Sequence, residues 1–329
     1  MKKNQLQQGP YLLAETMVNA GHTKSFEIPA FRLPTQTMIS LPIHVIHGVR
    51  PGPTLGLCAA IHGNEINGIE TIRRITQVID PKKLSGTIIA TPVVNVFGFI
   101  NDSRYLPDRR DLNRSFPGSK RGSMASRLAF LFRTEVVDRC NYIIDYHTAS
   151  VGKKNYPQIR CDLFDGDSKE LAKVFNAPLI LHSKKIAGSL RELAVENECN
   201  LLVYEGGEPS RFDEKAISLA VRGTFRVLSK LKMHPAVTES HKEDLKIKTL
   251  ICNETSWIRA PRSGIFRANY KLGERVKDKC VLGTINDIFG NSLGNVRSHM
   301  NGIVAGIATN PSVHQGDALI HIGRIKEAS

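Results

Sequence analysis

The stretch LGLCAAIHGNEINGIETIRRITQVID, residues 55–80, decides the fold. Its first half is an apolar run from Leu55 to Ile61 that stops at His62-Gly63-Asn64-Glu65. An unbroken run of this kind reads as a strand buried on both faces, because a half-exposed strand would alternate. In the second half apolar side chains return at Ile69, Ile72, Ile75 and Ile79, a near-helical spacing that predicts a helix with one buried face. Buried strand, polar glycine-bearing turn and amphipathic helix together open an α/β unit.

Outward from this unit the alternation continues. Upstream, KSFEIPAFRL (24–33) and MISLPIHVIHG (38–48) show partial period-two patterning and predict strands, RPGPT (50–54) predicts a turn, and residues 1–20 read as an arm with little pattern. Downstream, TIIATPVVNV (87–96) and NYIIDYHTAS (141–150) read as strands, and 126–139 reads as a helix. Helices near 169–175, 189–198 and 214–231 alternate with strands PLILHS (178–183) and NLLVYEGGE (200–208). Between them 97–122, rich in Asp, Arg, Asn, Gly and Pro, reads as a long loop of the sort that carries function. The fold class expected is α/β with a mixed sheet. In such sheets ligands gather at the carboxyl ends of strands, where His62, His147 and Glu205 fall.

Beyond Pro235 the pattern changes. HPAVTESHKEDLK (234–246) reads as a linker, which divides the chain into an α/β domain over 1–240 and a β-rich domain over 241–329. Two segments of the tail, 260–285 and 298–323, look like imperfect copies, each with Gly-Ile, then a Gly-acid pair, then an apolar strand. The repeat suggests a small two-fold all-β sandwich. It resembles the half-motifs of biotinyl and lipoyl carriers, but Ser298-His299-Met300-Asn301-Gly302 has no lysine to modify, so no carrier function is expected.

Composition limits the classes. The 329 residues are 41% hydrophobic and 23% charged, which is globular, with a net charge of +14. The basic residues are spread as dipeptides such as Lys153–Lys154 and accompany no nucleic-acid motif, so nucleic acid is not an expected partner. Steering of small anions remains open as their use. The N-terminus lacks the apolar stretch of a secretory signal and no run spans a bilayer, so a cytoplasmic location without membrane contact is expected. Six scattered cysteines without a CxxC pair read as reduced, packed thiols.

The chemistry is carried by His62 and Glu65, two metal-ligand types three residues apart in a turn between strand and helix. Zinc favours imidazole and carboxylate, and catalytic sites use three protein ligands. His147, at the end of another apolar strand, supplies the third, for one zinc ion per chain. Asp145 and Asp111 are candidates to orient the histidines, or make ordinary loop hydrogen bonds. His44, His47, His182 and His234 read as structural.

HGNE (62–65), DLNRSFPG (111–118), DYHT (145–148) and YEGGE (204–208), in this order over residues 40–210, resemble the succinylglutamate desuccinylase/aspartoacylase family, relatives of the zinc carboxypeptidases. The short interval from Glu65 to His147 is similar to the deacylase branch. The resemblance implies that Glu205 is the general acid/base, that Asn113 and Arg114 grip a substrate carboxylate, and that Arg104 stabilises the oxyanion. Two extra residues in LPDRR leave Arg109 or Arg110 as alternatives to Arg104. The function implied is zinc-dependent hydrolysis of the amide of an N-acylated amino acid or similar small anion. A carboxypeptidase-like cleavage of a peptide tail and a non-catalytic binding protein on a hydrolase fold are the other readings, and a homo-oligomer is compatible with all three.

Overall fold

The computed structural model describes residues 8–235 and 248–325. Most of the linker read over 234–246, and the domain boundary expected after residue 240, lie outside the described residues.

The chain opens with a hairpin of β1 (Tyr11–Leu13) and β2 (Thr16–Val18), where the sequence showed only an arm, and continues with β3 (His22–Arg32) and β4 (Met38–His47). The deciding stretch forms β5 (Arg50–Ala59) and α1 (Asn67–Val78). Then come β6 (Ser85–Thr91), α2 (Val96–Ile100), a 3-10 turn at Leu112–Arg114, α3 (Met124–Glu135) and β7 (Tyr142–His147). β8 (Lys153–Cys161), α4 (Gly166–Phe175), β9 (Leu179–His182), α5 (Leu190–Glu196), β10 (Asn200–Gly207) and α6 (Glu214–Lys230) complete the α/β part. Past residue 247 the described chain holds strands only: β11 (Leu250–Cys252), β12 (Thr255–Arg259), β13 (Gly264–Ala268), β14 (Arg275–Val276) and β15 (Val281–Asn286). They are followed by β16 (Ser292–Arg297), β17 (Gly302–Ala308), β18 (Ser312–Val313) and β19 (Ala318–Arg324).

Three local expectations are corrected. Arg50–Thr54 is no turn but the irregular start of β5, where the register against β6 shifts and Gly52 lies against the Ser85–Gly86 backbone. Pro51 and Pro53 explain the irregularity, since neither donates to a ladder. The apolar run at 87–96 breaks into strand and helix: Pro92 follows β6, and Asn95 caps α2 by accepting from Gly98 N at 2.8 Å. β8 was not foreseen, because lysines, asparagine and proline hide its pattern.

A thirteen-stranded sheet runs β12-β19-β17-β8-β10-β7-β5-β6-β4-β3, with β9 and β11 beside β8 and β14 beside β17. Its centre, β6-β5-β7-β10, is parallel. From β5 the chain crosses to β6 on one side and later returns to β7 on the other. That reversal opens a crevice between the carboxyl ends of β5 and β7. Helices α1, α4 and α6 bury Ile72, Ile75, Phe175, Leu219 and Phe225 on one face, while α3 and α5 bury Leu128, Phe132, Leu190 and Leu193 on the other. Each such side chain contributes roughly 1.5–3 kcal/mol of burial.

β17 pairs with β8, so β17, β19 and β12 extend the large sheet, whereas β16-β15-β13-β18 form a separate antiparallel sheet. Phe266, Leu282, Val304 and Ile320 fill a core shared by the two. The internal repeat is visible and interleaved. The first copy puts β13 and β15 in the small sheet and its short β14 in the large one; the second puts β17 and β19 in the large sheet and its short β18 in the small one. The two sheets of the tail pack on each other around this core, and one of them is continuous with the large sheet through the pairing of β17 with β8.

Candidate metal centre

β5 delivers His62 through Ala60, whose left-handed φ of 50° turns the chain out of the sheet. A tight turn follows, with Glu65 N donating to His62 O at 3.0 Å. Gly63 is required there, since a Cβ would stand 1.9 Å from the Gly98 carbonyl carbon of α2. His147 is the last residue of β7, the parallel neighbour of β5. The crevice thus brings His62, Glu65 and His147 together, all buried, with ligand atoms within 4.8 Å of one another.

Glu65 lies between the histidines. Its Oε1 is 2.7 Å from His62 Nδ1 and its Oε2 2.8 Å from His147 Nδ1. The outer nitrogens face two further carboxylates: His62 Nε2 is 3.2 Å from Asp111 Oδ1, and His147 Nε2 is 2.8 Å from Asp145 Oδ2. Both acids singled out in the sequence therefore contact the histidines. An Nε2–H held by carboxylate turns the Nδ1 lone pair inward, the arrangement typical of metal-ligating imidazoles. Arg104 donates to Asp111 Oδ2 from Nε and Nη2 (3.2 and 2.9 Å), and its Nη1 is 3.4 Å from Glu65 Oε1.

The charges are unbalanced in a telling way. With neutral imidazoles, the carboxylates of Glu65, Asp111 and Asp145 against one guanidinium leave 3 − 1 = 2 negative charges. Two imidazolium protons or one divalent cation balance them. Burial alone would lower both histidine pKa values, yet Glu65, with Asp111 at His62 and Asp145 at His147, raises them, His147 well above its ordinary value. Burial would likewise raise Glu65, and the two histidines instead hold it far below the usual carboxylate range. Ions bound at about 2.0–2.2 Å have donors at most about 4.4 Å apart, so shifts of a few tenths of an ångström close the cluster on a divalent ion. The donor set fits such an ion.

These residues form one end of a cavity of about 240 Å³. Arg104, Asn113, Arg114 and Glu205 also line it. Asn113 Oδ1 accepts from Leu190 N at 2.9 Å, which orients its amide, and Arg114 Nη1 donates to Asn113 O. Arg109 and Arg110 are exposed and absent from the lining. The segment Leu106–Arg110 forms a tight loop closed by Leu106 N donating to Arg110 O (3.2 Å), with Arg109 at φ 60°, and this loop holds both arginines at the surface. Glu205 accepts from Asn155 Nδ2 at 2.7 Å and pairs with Arg160 Nη2 at 3.0 Å, both at Oε2.

Sequence reasoning missed Lys153, Asn155, Arg160, Arg191 and Trp257, which complete the walls. The first three sit on the unforeseen β8; Trp257, the chain's one tryptophan, comes from β12 and stacks on His321 with centroids 4.6 Å apart. The lone tryptophan in a polar strand was the one available signal. Among the described residues that line the cavity, Glu65 and Glu205 are the only acids, and both are engaged. Arg114, Lys153 and Arg191 make no ion pair among the described residues: Arg191 donates to Ser183 Oγ (3.1 Å), and Lys153 Nζ stands 5.8 Å from the Trp257 ring.

Residues 51–231 match the model of the succinylglutamate desuccinylase/aspartoacylase catalytic domain. An N-alpha-acetyl-L-2,4-diaminobutyric acid deacetylase of Halomonas elongata is 24% identical over 304 residues, 88% of this chain and 87% of that one. Among solved structures, a succinylglutamate desuccinylase/aspartoacylase from Rhodobacter sphaeroides superposes with a TM-score of 0.82 at 24% identity, covering 92% of this chain and 96% of that one. The product-bound ectoine utilization protein EutE (DoeB) from Ruegeria pomeroyi gives 0.83 at 19% identity, covering 98% and 100%.

Proposed function

Because the chain belongs to the succinylglutamate desuccinylase/aspartoacylase family, we propose that it is a zinc-dependent deacylase cleaving the amide of a small anionic N-acylated amino acid. The observation that carries the reading is the convergence of His62, Glu65 and His147 in one cavity with Glu205. His62, Glu65 and His147 would hold the zinc ion. When bound, such an ion polarises a carbonyl and makes water more acidic.

The chain's own residues supply the rest. Glu205 takes a proton from the attacking water as its oxygen adds to the acyl carbon, and returns it to the nitrogen as the C–N bond breaks. Asn155 and Arg160 hold Oε2, so Oε1 is the oxygen available for that proton. Arg104 stabilises the charge that develops on the carbonyl oxygen. Arg114, a planar fork, and Asn113 bind a substrate carboxylate. The cavity's volume suits a small molecule over a peptide tail, and its three cations without an ion pair among the described residues suit an anionic one.

The test combines metal analysis with a substrate panel. Purified wild type should carry about one zinc per chain and hydrolyse one of the N-acetyl or N-succinyl derivatives of aspartate, glutamate or diaminobutyrate. His62→Ala should lose both metal and turnover. A wild type that takes up no metal from supplied zinc would overturn the reading in favour of a non-catalytic binding protein.

A further inference from the structure

We propose that Asn155 is a positioning residue for Glu205, and that Gly306, on a strand of the C-terminal β region, keeps Asn155 in place; this rests on the reading of Glu205 as general acid/base. The argument starts with register. Glu205 pairs with Gln158 and Gly207 with Asn155, so three steps along β8 match two along β10. The extra residue falls at Tyr156-Pro157, and proline, having no N–H, accommodates a bulge.

The bulge decides which way Asn155 faces. In a regular strand, residues three apart point to opposite faces. Here Asn155 shares the face of Gln158 and Arg160, which is the face of Glu205. Its Nδ2 reaches Glu205 Oε2 at 2.7 Å, and the side chain is buried. Arg160 reaches the same oxygen at 3.0 Å, so two donors from one bulged strand fix the carboxylate's rotation.

Across β8 from Glu205, Asn155 pairs with Gly306 of β17. A Cβ on Gly306 would stand 2.8 Å from Asn155 Oδ1, a contact that forces the neighbour to move. The neighbour is the end of a side chain with two rotatable bonds, Cα–Cβ and Cβ–Cγ, so the least costly relief is to swing its amide away from Glu205. β17 itself bulges here, with two of its steps, Val304 to Gly306, opposite one of β19, Ile322 to His321. The C-terminal strands therefore shape the site through a glycine that touches no substrate.

The test uses Asn155→Ala, Gly306→Ala, the double variant and Glu205→Gln, each as full-length metal-loaded protein. Crystal structures of the first two should show the Glu205 carboxylate rotated or displaced by about 1 Å. On N-acetyl-L-aspartate, or the best substrate of the panel, kcat should fall ~10- to 100-fold, as expected for a misplaced catalytic group. KM and zinc content should stay within threefold, and the double variant should be no slower than Asn155→Ala. A Glu205 carboxylate unmoved in both structures overturns the proposal, as does a raised KM with unchanged kcat or an additive loss in the double variant. Full turnover in Glu205→Gln would instead defeat the reading of Glu205, while the crystallographic result, which needs no substrate, still decides whether Asn155 and Gly306 hold the carboxylate.

Discussion

Glu205 and His147 are Cα partners on adjacent parallel strands, β10 and β7. The relationship puts the proposed base one strand, about 4.8 Å, from a candidate ligand, without any loop between them. Asn67 secures the strand end from behind: its Nδ2 donates to Gly206 O at 3.1 Å, and its Oδ1 accepts from Asp213 N at 3.0 Å. Glu205 is thus part of a rigid frame, whereas Arg104, Asn113 and Arg114 come from the irregular segment between α2 and α3.

That difference makes the arginine the informative target. Arg104 reaches Asp111 and Glu65, while Arg109 and Arg110 sit on the exposed loop closed by Leu106 and Arg110. Arg104→Ala should reduce kcat by about 100- to 1000-fold, the usual loss of an oxyanion donor. Arg109→Ala and Arg110→Ala should stay near the wild-type rate. Steady-state kinetics of the three variants decide it, and an equal loss in either of the latter would move the role away from Arg104.

What the sequence disclosed follows the same division. His62 and Glu65 were legible because the apolar run before them and the helical period after them are local patterns. The positions of His147 and Glu205 near strand ends were legible from the apolar runs before them, whereas the role given to Glu205 came from the resemblance carried by YEGGE. Asn155, Arg160 and Lys153 were not, since β8 turns polar side chains into the cavity and so loses the apolar pattern that marks a strand. Trp257 was hidden for another reason: it reaches the cavity only because β17 pairs with β8, a contact between segments about 150 residues apart that no periodicity encodes. The interleaving of the tail's two copies was invisible likewise.

Asp145 should matter through His147. Removing its charge weakens the hold on Nε2 and the basicity of Nδ1, and such outer carboxylates typically account for ~10- to 100-fold in metal affinity or activity. Asp145→Asn should therefore bind zinc more weakly by that factor in competition with a chromophoric chelator. Unchanged affinity would mean that the 2.8 Å contact is incidental to the ligand.

Lys153 offers a test of substrate charge. Among the described residues it lines the cavity without a carboxylate partner, and the two acids of the lining, Glu65 and Glu205, are engaged. The wild type should prefer N-acetyl-L-aspartate to N-acetyl-L-2,4-diaminobutyrate, whose second amine finds no free acid. Lys153→Glu should move the ratio of kcat/KM toward the diaminobutyrate compound by at least ~10-fold, since reversing one charge near a protein surface is worth on the order of 1–4 kcal/mol. A ratio unmoved by the reversal would show that the substrate's second charge lies elsewhere.

His321 should make the fold sensitive to acid. It is buried under Trp257, its Nδ1 has no hydrogen-bond partner among the described residues, and burial, reinforced by the nearby Arg160 guanidinium, pushes its pKa down to about 3. An unfolded histidine titrates near 6.5. Between these values the unfolded chain binds the extra proton, so the folded state keeps its full stability above pH 6.5 and loses it as pH falls toward 3. The loss attributable to this residue is about 2 kcal/mol by pH 5. His321→Phe keeps an aromatic ring against Trp257 and removes the proton site. Denaturant melts of wild type and variant at pH 7.5 and pH 5 measure the difference: the gap between the two pH values should shrink by about that amount in the variant. An unchanged gap would mean that His321 can be protonated in place, with Arg160 turned away toward Glu205.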